Sequence, residues 1–261
     1  MESNQSNGTA IRAFHVLEVV ARHPDGLSLT ALVAAVGLPK QTVHRLAAQL
    51  ELAGLLVREP GQRRLQLGNR VERFAIDALA NGAGRQERRA ILTALVERTG
   101  ETCNITALAG VDVVYLDRVE TSWPLRMTLA PGSHVPLHAT SSGKLLASLL
   151  PKAQRDRLLH QISLRRFTEN TVTELAALEA ELAETRKRRI GINRAEHLHG
   201  LCGVAVPVML DRQRACAAVA IQAPEARMSL EQLLEQVPHL QEAALAVGAT
   251  FRGVRGAGAA G

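Results

Sequence analysis

Between residues 11 and 54 three short amphipathic stretches follow one another with almost no chain between them, and this spacing restricts the architecture more than anything else in the sequence. Ile11, Phe14, Val16, Leu17 and Val20 recur at helical intervals until His23-Pro24-Asp25-Gly26 interrupts them with turn chemistry. Ser28 is a good N-cap; Leu29, Leu32, Val33 and Val36 then fall at i, i+3, i+4 and i+7 before Gly37 closes the stretch as a C′ glycine. Leu38-Pro39 leads straight into a third helix, whose first turn tolerates Pro39 and whose Val43, Leu46, Ala47 and Leu50 repeat the spacing. Helices this short gain their stability from packing on one another, so one side of the third is buried and the other is free to touch something.

After Gly54, residues 55–58, 59–62 and 63–67 read as a strand, a turn and a returning strand, which makes residues 1–68 a winged helix-turn-helix domain. In that arrangement the second helix of the pair enters the major groove of duplex DNA. Gln41 can make a bidentate contact to adenine, Arg45 can address guanine or phosphate, Thr42 is short enough for close approach, and Lys40 suits phosphate. Thr30 and His44 complete the candidate contacts from the helices, and Arg63 and Arg64 sit where a wing meets the backbone or minor groove. A polar-faced helix pair can also be merely solvated. Charge position argues against that: residues 1–70 hold eight Lys/Arg against five Asp/Glu, net +3, whereas 71–251 hold 21 against 20, net +1. The remaining +2 of the overall +6 comes from Arg252 and Arg255 in a Gly/Ala-rich tail, 252–261, expected to be disordered.

Residues 69–82 read as a linker helix that ends at Asn81-Gly82-Ala83-Gly84, and a second domain is expected over 83–251. It opens with a helix over 85–99 and continues with strands at 102–108, 112–120 and 125–129. Helical patterns follow over 139–160, with Pro151 starting a new helix; Thr171-Val-Thr-Glu174 has capping-box spacing ahead of a long helix ending at Gly191. Strands at 201–209 and 215–223 flank Asp211-Arg-Gln-Arg214 as a hairpin, and Ser229 opens a last helix running to about Val247. The fold class is therefore α+β.

With 261 residues and 46% apolar content the chain can fill two cores, but 2% aromatic residues leave no material for a single-strand stacking platform. Three cysteines without a CxxC pair, no leader-like apolar run and no membrane-length segment read as a soluble cytoplasmic protein. His134, His138, His197 and His199 have no companion Cys/Asp cluster at ligand spacing, so no metal and no cofactor is expected.

The ordered blocks SLTALVAAVGLPKQTVHRLAAQLELAGLL, ETCNITAL, VVYLDRVE, GSHVPLHATSSGKLLAS, GVAVPV and AAVAIQAP resemble the isocitrate-lyase-regulator (IclR) family of bacterial transcription factors across residues 10–250. The resemblance implies a winged-helix head, a linker helix and a GAF-like α/β effector domain. It also implies a homodimer or dimer of dimers on a palindromic promoter operator, and a small organic effector, often a carboxylate or aromatic catabolite, in the cup of the second domain. The Ser141-Ser142-Gly143 turn belongs to that cup by resemblance, and a Gly-containing turn into a helix presents N–H groups and hydroxyls to an anion. Cys103, Asn104, Asn193, Cys202 and Gln222 are neighbouring effector-binding candidates, with Gly203 and Ala220 beside them. The glyoxylate-type polar cluster is largely missing, since Gly191-Ile-Asn-Arg-Ala-Glu196 is shortened and Ala220 and Gln222 stand where two serines are usual, which points to a larger or aromatic acid. Buried cysteines are more often small hydrophobes than ligands, and Ser141 or Ser142 can serve as a helix cap alone.

Two other functions compete. An enzyme would need a partnered nucleophile, and the one trio available, Cys103, His138 and Lys144, lies in no nucleophile signature. A DNA-binding protein that senses nothing would leave the large, nearly neutral second domain without a purpose.

Overall fold

The computed structural model describes residues 8–23, 25–58, 63–82, 84–123, 129–212 and 214–252. The three N-terminal periodicities form α1 (Thr9–Ala21), α2 (Leu29–Val36) and α3 (Lys40–Leu52). Ser28 Oγ accepts the Ala31 N–H at 3.2 Å and caps α2; Gly37, at φ 70°, closes it in the left-handed conformation that glycine adopts without a Cβ penalty. Pro39 is the N-cap of α3, one place earlier than its expected first-turn position. Val16, Val20, Leu32, Val43, Leu46 and Leu50 interlock with Leu56 and Leu65 of the wing. Each fully buried Leu or Val there contributes roughly 1.5–3 kcal/mol of apolar burial.

The wing strands are β2 (Leu56–Arg58) and β3 (Arg64–Leu67), and a two-residue β1 (Leu27–Ser28) pairs with the other edge of β3. The expected turn at 59–62 lies outside the described residues. Helix α4 (Asn69–Asn81) covers the expected linker, and the chain divides into two compact units between Ala75 and Ile76, inside that helix. Ile76, Leu79 and Ala80 pack on the core of the second unit.

The second unit starts with α5 (Arg85–Thr99) and is built on an antiparallel six-stranded sheet. Its strands are β4 (Thr102–Ala109), β5 (Asp112–Val119), β6 (His134–Pro136), β7 (Gly191–Arg194), β8 (Leu201–Met209) and β9 (Ala215–Pro224), in the order β6-β5-β4-β9-β8-β7. Alternation gives the sheet two chemically different faces. Cys103, Ile105, Val204, Val206, Val219 and Ile221 form an apolar face with Leu92 and Leu95 of α5, Leu233 of α9 (Leu230–Glu235) and Leu240 and Val247 of α10 (Val237–Phe251). The other face carries Ala205, Ala218 and Ala220 beneath Leu145 and Leu146 of α6 (Ser141–Leu149). Helices α7 (Lys152–Gln161) and α8 (Leu175–Arg188) bury Leu159, Leu178 and Leu182 behind α6.

Three local expectations are corrected, and a fourth lies mostly outside the described residues. Gly191 does not end the long helix, which stops at Arg188 with Arg189 in the left-handed conformation; it starts β7, where a Cβ would lie 2.0 Å from the Ser141 carbonyl oxygen of α6. Thr171 does not cap α8: its Oγ1 accepts the N–H groups of Phe167 and Thr168 and donates to the Glu196 carbonyl, and Glu174 is the N-cap without a side-chain bond. The last helix is two, because α9 closes at Gln236 before Pro238 enters the first turn of α10; Ser229 and Gln232 do form the capping box of α9. Of the strand expected at 125–129, residues 125–128 lie outside the described residues and Leu129 is not in a strand; residues 253–261 of the expected tail also lie outside them.

Candidate functional site

In the first unit the apolar stripe of α3 fixes which side chains are left over. Val43, Leu46, Ala47 and Leu50 are buried, so Lys40, Gln41, His44 and Arg45 are exposed and Thr42 is half-buried among them. Thr30 is exposed on α2, and Arg63 and Arg64 are exposed on the wing. Arg64 donates to the Asp25 carbonyl at 3.2 Å, which ties β3 to the turn before α2. Arg58 is engaged in an ion pair with Glu51 of α3 at 2.6 Å, so it braces wing against helix. The surviving face offers amide, hydroxyl and guanidinium groups on a rigid helix, the equipment for reading base edges in a major groove.

In the second unit the decisive local event is a bulge between Ile105 and Thr106. Asn104 pairs with Arg118 and Ile105 with Asp117, but Thr106 pairs with Tyr115, so Leu116 is an extra residue in β5. In a regular strand, Tyr115 and Arg118 would face opposite ways. The extra residue brings both to the α6 face, while Leu116 joins the apolar core and Asp117 meets Arg89 of α5 at 2.8 Å.

A polar wall results. Arg118 donates to Gln222 Oε1 at 3.0 Å, Gln222 Nε2 donates to the Tyr115 hydroxyl at 3.2 Å, and the guanidinium lies 5.5 Å from the Tyr115 ring centroid. Burial holds the Tyr115 hydroxyl in its neutral form by raising its pKa. Beside them Asn104 and Thr106, both 1% exposed, leave Asn104 Oδ1 and Nδ2 and Thr106 Oγ1 without a partner among the described residues. Such atoms are costly to bury and mark a place where a ligand can supply the missing bonds.

The N-terminus of α6 lies over the same face. Ser141 Oγ sits 3.5 Å from where a Cβ on Gly203 would be, and a Cβ on Gly143 would lie 2.2 Å from the Leu137 carbonyl oxygen, so small residues set the approach. Thr140, not Ser141 or Ser142, is the N-cap, its Oγ1 accepting the Gly143 N–H. One turn in, fully buried Lys144 donates to Glu181 Oε1 of α8 at 2.7 Å and to Glu196 Oε1 at 2.5 Å, which anchors the helix.

Asn104, Ser141, Ser142, Gly143 and Gln222 thus share the α6 side of the sheet. Cys103 and Cys202 do not: each lies on the apolar face, and burial pushes the Cys103 thiol up to about 12 and the Cys202 thiol to about 11, inert values at neutral pH. Asn193 is on the α6 face but is spent on the β7–β8 turn, accepting the Glu196 N–H at 2.8 Å and donating to the Leu201 carbonyl. Thr106 follows Asn104 by simple alternation along β4, whereas Tyr115 and Arg118 are the wall residues that alternation alone could not reveal. The trio Cys103, His138 and Lys144 is dispersed, since Lys144 is paired with carboxylates, His138 bonds the Arg165 carbonyl, and Cys103 is across the sheet. Arg186 donates to the Ser148 and Leu150 carbonyls and closes the end of α6. Among the described residues no helix is long and apolar enough to cross a membrane.

Comparison with known proteins assigns both units. Residues 9–60 match the IclR helix-turn-helix domain, and residues 78–249 match the C-terminal domain of bacterial transcriptional regulator IclR. The "probable transcriptional regulator SauR" of Cupriavidus necator is 53% identical over 249 residues, 95% of this chain and 99% of that one. Among solved structures, the IclR of Thermotoga maritima has a TM-score of 0.62 at 24% identity, covering 94% of this chain and 98% of its own. The inducer-binding domain of a double mutant of the PobR transcription factor from Acinetobacter, in complex with 3-hydroxybenzoic acid, has a TM-score of 0.56 at 27% identity, covering 61% of this chain and 94% of that one. The chain belongs to the IclR family of DNA-binding bacterial transcriptional regulators and is not an enzyme.

Proposed function

We propose that this regulator binds a palindromic operator in the cytoplasm as a dimer or pair of dimers, and that an organic carboxylate held in the cup alters its operator affinity. The base-reading residues in this reading are Gln41, Thr42 and Arg45, with Lys40, Arg63 and Arg64 on phosphates. The observation that carries the sensing half is the pair Asn104 and Thr106, buried with unpartnered polar atoms beside Arg118 and Gln222. A carboxylate fits that set: Arg118 offers a guanidinium, the first turn of α6 offers N–H groups without intrahelical acceptors, and Asn104 and Thr106 bond ring or chain substituents. The bound 3-hydroxybenzoic acid of the PobR domain makes aromatic acids the first class to test.

The experiment is calorimetry of the full-length protein with benzoate, the hydroxybenzoates and short aliphatic carboxylates, alongside fluorescence of Trp123, the only tryptophan. Saturable binding of a carboxylate that falls at least tenfold in Asn104→Leu, with operator affinity shifted by a coupling of about 1–3 kcal/mol, is expected. If no carboxylate binds, or Asn104→Leu binds as well as the parent, the cup is assigned wrongly.

A further inference from the structure

At the β7 edge of the sheet a cavity of about 510 Å³ opens, and Asn104, Thr106 and Arg118 of the polar wall do not line it. Four carboxylate side chains line it, Glu181, Glu196, Glu225 and Glu231, against the one lining cation, Arg194, whose guanidinium lies 3.5 Å from Glu181 Oε1. Val172, Leu230 and Cys202 give the same cavity an apolar wall. Acidic residues gathered at a surface say little alone; what distinguishes this place is Glu196. It lines the cavity yet is only 3% exposed, and while its Oε1 accepts from Lys144 Nζ at 2.5 Å and from the Arg194 N–H at 3.1 Å, its Oε2 has no partner among the described residues. A buried carboxylate oxygen without a donor is expensive, and a cationic donor would relieve the cost.

The geometry also narrows the class of cation. Among the described residues no three His, Cys, Asp or Glu side chains converge closely enough to hold a metal ion. The volume falls within the range of small-molecule pockets, far above what an ion occupies. Carboxylates at the wall and mouth with aliphatic surface between them match a flexible chain that carries ammonium groups at its ends and methylenes in the middle. We propose that this cavity is a binding site for an aliphatic diamine or polyamine, with one ammonium group donating to Glu196 Oε2, the methylenes on Val172 and Leu230, and a second ammonium group held by Glu225 and Glu231. Because Glu181 and Glu196 also hold Lys144 in the first turns of α6, occupancy here bears on the helix that frames the cup.

The test is isothermal calorimetry of the full-length protein with 1,4-diaminobutane and spermidine as probes, and with butylamine and magnesium chloride as comparators. Saturable binding of a diamine or polyamine, one per chain, with butylamine at least tenfold weaker, is the expected result. The exposed double variant Glu225→Gln/Glu231→Gln, which leaves the buried network untouched, weakens it at least fivefold. Glu196→Gln abolishes it wherever circular dichroism shows the variant folded; if that variant does not fold, the double variant decides. Absence of saturable amine binding, equal affinity in the double variant, or magnesium binding as tightly as diamine and displacing it would overturn the proposal.

Discussion

Replacing Lys144 with methionine keeps most of the side-chain volume and removes one buried charge. In the native protein Nζ is wholly buried, 2.7 Å from Glu181 Oε1 and 2.5 Å from Glu196 Oε1, while Arg194 approaches Glu181 at 3.5 Å. Among the described residues the substitution leaves Glu196, 3% exposed, with only the Arg194 backbone N–H on Oε1 and nothing on Oε2. Stripping one partner from a buried pair costs about 3–5 kcal/mol, and the lower end applies because Arg194 still offsets Glu181. For a unit of this size, about 3 kcal/mol lowers the melting temperature by roughly 6–12 °C. Trp123 is the only tryptophan and lies in the second unit, so urea unfolding followed by its fluorescence reports that unit without the two-domain ambiguity of a global probe. Adding Glu196→Gln to Lys144→Met removes the stranded carboxylate and should restore at least about 1.5 kcal/mol, a coupling typical of direct contacts. A Lys144→Met loss below about 1 kcal/mol, or strictly additive costs in the double variant, would refute the view of Lys144 as the electrostatic anchor of α6.

Three further outcomes follow from other parts of the structure. Gly191→Ala places a Cβ 2.0 Å from the Ser141 carbonyl and 2.8 Å from Leu145 Cβ, so α6 must shift; a stability loss of about 1–3 kcal/mol in the same urea assay is expected, and an unperturbed variant would mean α6 is not seated on β7. Arg45→Ala should reduce specific operator binding far more than binding to random duplex in electrophoretic shifts at fixed salt, whereas equal losses would restrict Arg45 to phosphate. Burial raises the Cys103, Cys202 and Cys216 thiols to about 12, 11 and 11 from 9.0. The unfolded chain loses these protons first, so the thiols' contribution to stability is complete below pH 9 and declines as pH rises from about 9 to 12. Native protein at pH 8 should therefore resist iodoacetamide until denaturant is added, and rapid labelling of all three thiols without it would contradict their burial.

What could be read from the sequence depended on whether a residue's role was local. The helices of the first unit were legible because Ser28, Gly37 and the Val43-Leu46-Ala47-Leu50 stripe act within a turn or two of chain. Strand β1 was not, since two residues carry no periodicity and are recruited by β3 from 38 positions away, as in the Leu27–Leu65 pair. Gly191 carried the wrong message locally: a glycine after a basic helix end reads as a stop, but its requirement is imposed by Ser141 across the fold. The Ser-Ser-Gly turn was found by composition and family likeness, whereas Arg118 and Tyr115 depend on a bulge whose cause is the pairing of β5 with β4. Cys103 was placed next to Asn104 in sequence, and the pleat that makes them neighbours sends them to opposite faces.

As the proposed effector contacts, Asn104 and Thr106 set stability against responsiveness. Aliphatic residues at these positions would remove unpartnered polar atoms and pack against the alanines of β9, so a chain selected for thermal endurance alone would discard them. In the proposed reading of the cup, the ligand-free protein is held short of its attainable stability, and a ligand that completes those bonds raises the melting temperature by mass action. Directed evolution toward a hardier variant should therefore erode sensing at these two positions before it touches the DNA-reading helix, and a screen that scores stability without scoring induction would select deaf regulators.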